Sequence, residues 1–313
     1  MKKITLPPLK ASTLRRGALS VVRLAFLTAL GYVVLFQLCY MISLSLRPVP
    51  QNLDPSVVWL PRSITWQNFL DAMTALDYVP SVLNTLIVCI VSALIEIVTC
   101  ALVAYGLACF EFPERKFLFF LVLVTIIVPP QMVMLSTYNN YMHLDFLGIL
   151  GLFNKLTGID IRPNVLNTPW TFYLPSLLGV GVRSGLFIFI YRQFFTKLPK
   201  ELEEAAYVDG AGSVRTFVSV IVPSSGVAFL TVGLLSVIWH WNEHYNSSMY
   251  LVDMPTLAVK LSNIREVIGN IGVTESRNMR MAACLVCVLP VLILYCFLQK
   301  RFIKSIDRIG IVG

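Results

Sequence analysis

Six apolar runs, each about as long as a hydrocarbon layer is thick, divide this 313-residue chain and leave few alternatives to a bundle of membrane helices. They lie at about 24–46, 82–109, 117–135, 170–195, 220–241 and 281–298. Hydrocarbon offers no water to backbone N–H and C=O groups, so each run must satisfy its own by coiling, and the expected fold class is all-α, a polytopic membrane protein with six transmembrane helices. A chain with 57% hydrophobic and only 13% charged residues is not an ordinary soluble domain.

The basic residues order the runs. Residues 1–23 carry Lys2, Lys3, Lys10, Arg15, Arg16 and Arg23 without an acid, which marks a cytoplasmic arm ahead of a transmembrane region at 24–313. Sixteen of the 25 Lys and Arg residues sit in this arm, around the connections at 111–116 and 196–219, and in the tail after 298; eight sit on the other side and Arg183 lies within a run. That bias places both termini inside. The first run is too long for a signal-peptide core and reads as a retained span. Trp59, Trp66, Trp170, Trp239 and Trp241 all fall on the outer side, where an aromatic belt is expected. The formal net charge of +8 does not point to nucleic acid, because the cations gather at run ends and form no stripe with interleaved aromatics. Membrane lipid is the expected surrounding.

Within the runs, Pro129-Pro130 should break the third helix, since proline lacks a donor and collides with the preceding turn. All seven cysteines lie in or beside apolar runs, so they read as small hydrophobes; Cys284-x-x-Cys287 places two of them on one helix face. Glu96 and Arg183 are the costly residues, at about 2.5–3.5 kcal/mol for a charge at a helix centre. They are expected to line a translocation path, as an ion pair or as contacts to a hydroxylated solute, or else to form a purely structural pair. His240-Trp241-Asn242-Glu243-His244 matches the H-x-x-E-H pattern of inverted zinc peptidases, with an interfacial helix end as the plainer explanation. The sequence holds no G-x-x-x-x-G-K-[ST], so any ATP must be brought by a partner, and no cofactor is expected on this chain.

One polar island stands between the fourth and fifth runs, Leu198 to Gly212. Pro199 suits a first helical position, and Glu201, Glu203 and Glu204 put negative charge at the positive end of the helix dipole. Gly210 can take the left-handed conformation that stops a helix, and Ser213 can cap a second one over Val214–Val222. Two short helices around a small-residue elbow make a shape suited to a partner's groove.

Glu204-Ala205-Ala206-Tyr207-Val208-Asp209-Gly210-Ala211, followed by Phe217, Ile221 and Pro223, resembles the EAA loop of ABC importer permeases. Leu198-Pro199, Trp241-Asn242-Glu243, Tyr105-Gly106-Leu107-Ala108, Pro290, Tyr295 and Gln299 resemble the carbohydrate, maltose-permease-like branch, over about residues 80–313. The resemblance implies a type I permease fold in a bacterial plasma membrane and a non-enzymatic role in importing a sugar or oligosaccharide. It also implies partners: a second permease subunit, two cytoplasmic ATPase subunits that use ATP, and an extracytoplasmic solute-binding protein. Glu204, Ala205, Ala206, Asp209 and Gly210 would be the ATPase contacts. Val222 before Pro223, Val227 and the Ile311-Val312-Gly313 ending depart from the family pattern. Alternatives are an ABC permease for a peptide or polyamine, a membrane zinc peptidase using His240 and His244, and a secondary carrier coupled through Glu96.

Overall fold

The apolar runs become helix, but only half of them remain unbroken. A computed structural model of the chain describes residues 11–54, 56–57, 59–145, 148–158, 160–267 and 273–310, and among these there is no strand. Residues 1–10 of the basic arm and the Ile311-Val312-Gly313 ending lie outside the described residues; from Ala11 the arm is already helical.

In chain order the helices are α1 (Ala11–Ser45), α2 (Gln67–Ala75), α3 (Tyr78–Cys109), α4 (Arg115–Ile127), α5 (Met134–Met142), α6 (Ile149–Thr157), α7 (Trp170–Leu177) and α8 (Ser184–Phe195). They are followed by α9 (Lys200–Val208), α10 (Ser213–Thr216), α11 (Val222–Ser224), α12 (Gly226–Trp241), α13 (Tyr245–Tyr250), α14 (Leu257–Ser262), α15 (Ile264–Val267) and α16 (Val273–Gly310). The chain forms two compact units, one containing α1 and the start of α16, the other α3 to α15 and the rest of α16.

In the first unit, α1 exposes nearly every side chain from Leu19 to Cys39. Its end is finished by amides: Asn68 Nδ2 donates to the carbonyls of Ser45 and Arg47 at 2.8 and 3.0 Å, and Asn278 Nδ2 donates to Arg47 at 2.7 Å. Buried Asn68 and Asn278 thus satisfy carbonyls that a helix end leaves open.

The second unit is built on α3. Its buried positions include Ser81, Thr85, Cys89, Ser92, Ala93, Cys100, Ala101 and Ala104. Where surroundings are apolar, association is driven by packing rather than by escape from water, and such small side chains let α7, α8, α12 and α14 approach closely. Larger residues gather where α3, α8 and α12 meet the segment after α10: Tyr105, Phe187, Tyr191, Phe195, Phe217 and Ile221 are all buried.

The breaks explain why six sequence runs yield fewer long helices. As expected, α4 stops at Ile127 ahead of Pro129-Pro130, and a short 3₁₀ turn, Pro130–Met132, leads to α5. The fourth run, expected to be one helix with Arg183 in its middle, is instead α7 and α8 separated by residues 178–183. Gly179 and Arg183 there both have positive φ, +71° and +62°. The fifth run is bent by 82° between Ser213–Ser224 and Gly226–Trp241, with a π-helical turn over Phe217–Ile221 just before Pro223. Pro223 has no N–H and crowds the carbonyl four residues earlier, and the widened turn accommodates that loss. Among the described residues three helices are long and apolar enough to cross a membrane, within α1, α3 and α16, and a fourth crossing results if the bent pair counts as one.

Candidate functional site

The island at 198–212 folds as a helix, a left-handed glycine and a second helix. Pro199 is the residue before α9 rather than its first residue, and Glu201 and Glu203 occupy the first turn, where the dipole favours them. At the other end Gly210 N–H donates to the Tyr207 carbonyl at 3.0 Å and Ala211 N–H to the Ala206 carbonyl at 2.9 Å. This pair of bonds, with Gly210 at φ +76°, is a Schellman stop. The second helix starts at Ser213, with extended Gly212 as its cap residue, one position earlier than the sequence suggested.

Of the expected contact residues, Glu204, Ala205, Asp209 and Gly210 are exposed, while Ala206 is buried at 8%. Ala206 therefore cannot be part of the outer face; it packs inward and supports it. Around the exposed four stand apolar side chains that stay exposed among the described residues: Leu202, Tyr207, Val208, Val214 and Val218. Val208 is 87% exposed and Val214 79%.

A tyrosine ties this surface to α3. Tyr105 Oη donates to Glu203 Oε1 at 3.0 Å, and its ring packs on Phe217 at 5.1 Å between centroids. Close by, Arg115 Nε and Nη2 donate to the Leu107 and Ala108 carbonyls at 2.8 Å each, and Arg192 Nε reaches Leu107 at 3.2 Å. Two cations at the C-terminus of α3 meet both its open carbonyls and its negative dipole end. These three residues were not singled out as site residues from the sequence. The signal available was Tyr105 at the head of Tyr-Gly-Leu-Ala.

Glu96 and Arg183 part company. Glu96 is fully buried and its partners are hydroxyls: Ser184 Oγ donates to Oε1 and Ser236 Oγ to Oε2, both at 2.8 Å. His240 Nδ1 lies 3.8 Å from Oε2 and 3.0 Å from the Ser236 carbonyl. The glutamate thus joins α3, α8 and α12 and makes no ion pair with Arg183. Gly181 is required beside it: a methyl group there would lie 2.5 Å from Glu96 Oε1 and 2.7 Å from Ser176 Oγ. Ser176 Oγ and His240 Nε2 are buried without a hydrogen-bond partner.

Arg183 is exposed in the break before α8 and rests its guanidinium on the Trp239 ring, 4.5 Å from the centroid. Holding a non-glycine residue in this left-handed conformation costs roughly 1–2 kcal/mol.

The H-x-x-E-H pattern does not assemble a metal site. His240 is buried beside Glu96, α12 ends at Trp241, and His244 stacks on Tyr245. No group of three His, Cys, Asp or Glu side chains suited to a metal exists among the described residues. Cys284 and Cys287 are unbridged, and the Cys287 carbonyl accepts the Trp241 indole N–H at 3.1 Å.

Comparison with known proteins agrees with this architecture. Residues 55–308 match the family described as binding-protein-dependent transport system inner membrane component. The arabinooligosaccharides transport system permease protein AraQ of Halalkalibacterium halodurans is 24% identical over 289 residues, covering 91% of this chain and 93% of that protein. The sn-glycerol-3-phosphate transport system permease protein UgpE of Yersinia pestis is 25% identical over 270 residues, covering 82% and 87%. A crystal structure of a bacterial ABC transporter involved in the import of the acidic polysaccharide alginate superposes with a TM-score of 0.68 at 20% identity, over 95% of this chain and 100% of the matched one. These relatives are transport permeases and not enzymes. The chain therefore belongs to the family of binding-protein-dependent transport system inner membrane components and has the all-α fold of type I ABC importer permeases.

Proposed function

We propose that this permease imports a saccharide or saccharide derivative across a bacterial plasma membrane, driven by ATP held on two cytoplasmic ATPase subunits. A second permease subunit completes the path, and an extracytoplasmic binding protein delivers the solute. The observation that carries the coupling part is the exposed face of α9 and α10, where Glu204, Ala205, Asp209 and Gly210 are ringed by uncovered apolar side chains. A stiff helix pair with small residues at its elbow suits a cleft on a moving partner, because close packing converts the partner's displacement into displacement of the helices behind it.

Each of the six apolar segments crosses the membrane once. Three cross as the continuous helices α1, α3 and α16, and three cross in broken form, at Pro129-Pro130, at residues 178–183 and at Ser225. Broken helices are tolerated at membrane depth where the freed backbone groups face protein or a water-filled path. The basic bias of the sequence supports cytoplasmic termini and a cytoplasmic α9–α10. In this arrangement Glu96 is an interior tie and Arg183 faces the solute path. The sugar class is supported by a relative named for arabinooligosaccharides, and one named for sn-glycerol-3-phosphate keeps small polyol phosphates within the reading.

The test is to rebuild the full importer with its binding protein in liposomes and measure solute-stimulated ATP hydrolysis over panels of saccharides, peptides and polyamines. Stimulation by a saccharide or a polyol phosphate is expected. Stimulation only by a peptide or polyamine would contradict the solute class.

A further inference from the structure

Arg183 is a cation out of place. Roughly 18 Å of helix, the 12 residues of α8, separates it from Phe195 and the basic inner end of the segment, which is about half the thickness of the hydrocarbon layer. Phosphates of the inner leaflet are therefore out of its reach. No carboxylate is recorded in a pair with it among the described residues; Asp54 and Asp160 pair with Arg62 and Arg162 instead. Glu96, bonded to the neighbouring Ser184, is taken up by Ser184 and Ser236.

The guanidinium is nevertheless held in place. It sits over the Trp239 ring at 4.5 Å from the centroid, and the two side chains line a cavity of about 160 Å³ together with Thr125, Gly185 and Leu186. The chain breaks after Ile127 and at 178–183 adjoin residues that line this cavity. A planar fork of N–H donors held on an aromatic face matches a carboxylate or phosphate bidentately. The cavity is smaller than the roughly 300 Å³ at which small-molecule pockets begin, so it holds one charged unit of a solute and not a whole oligosaccharide.

We propose that Arg183 and Trp239 form a half-site for the acidic group of an anionic saccharide, a uronic acid or a sugar phosphate, on its way through the permease pair. The proposal rests on the import function above and narrows its solute class. Arg183 draws the acid into the path, Trp239 keeps the guanidinium in position, and the second permease closes the site.

The experiment uses the reconstituted importer with its binding protein and three probes: a uronic acid trisaccharide, glycerol phosphate and an uncharged hexose trisaccharide. Each is applied to wild type, Arg183→Lys and Arg183→Gln, with subunit association checked by size exclusion. An acidic probe should drive uptake in wild type. Uptake of that probe should fall about tenfold or more in Arg183→Gln and recover in part in Arg183→Lys, in keeping with loss of a charged hydrogen bond. Which acidic probe responds tells the carboxylate from the phosphate ester. Uptake driven by the uncharged trisaccharide alone overturns the acidic half-site and leaves saccharide import standing. Acidic uptake insensitive to Arg183→Gln overturns it as well. Separation of the permease pair in Arg183→Gln assigns the missing acid to the partner subunit and overturns the solute site. If no probe of any kind drives uptake, the saccharide reading falls and the half-site with it.

Discussion

Gly210 and Gly181 are both glycines that the fold requires, for different reasons. At Gly210 the backbone sits at φ +76° and the N–H is bonded to Tyr207, so Gly210→Pro loses both the conformation and the bond. Gly210→Ala keeps the bond and costs roughly 1 kcal/mol. Expected is a graded loss of solute-stimulated ATP hydrolysis, slight for alanine and near complete for proline, at equal membrane insertion; equal activity in both variants would show that the stop has no part in coupling. At Gly181 the constraint is space, because an added methyl meets Glu96 Oε1, Ser176 Oγ and the Ser176 backbone. Gly181→Ala should lower the thermal stability of the detergent-solubilised protein, by about 1–3 kcal/mol. Gly210 was readable from the sequence, since its neighbours are local. Gly181 was not, since its partner Glu96 lies on another helix, and neither was the burial of Ala206, which depends on what packs behind α9.

At the scale of elements, hydropathy located the apolar segments but did not tell a continuous helix from a broken one. Pro129-Pro130 declared its break in advance because two adjacent prolines remove two donors. The break at 178–183 was hidden: Pro175, Gly179 and Gly181 are all visible in the sequence, yet the run around them is predominantly apolar. Arg183 consequently looked like a mid-helix charge and is instead the residue that opens α8. The link between α3 and α9 is likewise tertiary. Tyr105→Phe removes the hydrogen bond to Glu203 and leaves the ring contact with Phe217 in place. The ratio of ATP hydrolysed to solute moved should rise roughly two- to tenfold, in line with one half-exposed hydrogen bond. An unchanged ratio would reduce Tyr105 to a packing residue. Replacing Arg192 by Met leaves the Leu107 carbonyl to Arg115 alone and should loosen the end of α3, seen as faster amide exchange at residues 108–110.

For the whole molecule, membrane residence and helical class followed from composition and run length, and the proposal of cytoplasmic coupling starts from charge placement and the missing phosphate loop. What the sequence could not supply is which surfaces remain free once the helices pack. On α9 and α10 those surfaces are the side chains of Leu202, Val208 and Val214, a patch that would be unwelcome in water without a partner. The central claim is that this patch docks the ATPase. A photoreactive residue placed at Val208, 87% exposed, and separately at Val252, 67% exposed on the segment between α13 and α14, tests it in the assembled importer. Val208 should crosslink to the ATPase subunit and Val252 should not; a crosslink from Val252 with none from Val208 would contradict both the docking surface and the orientation of the chain in the membrane.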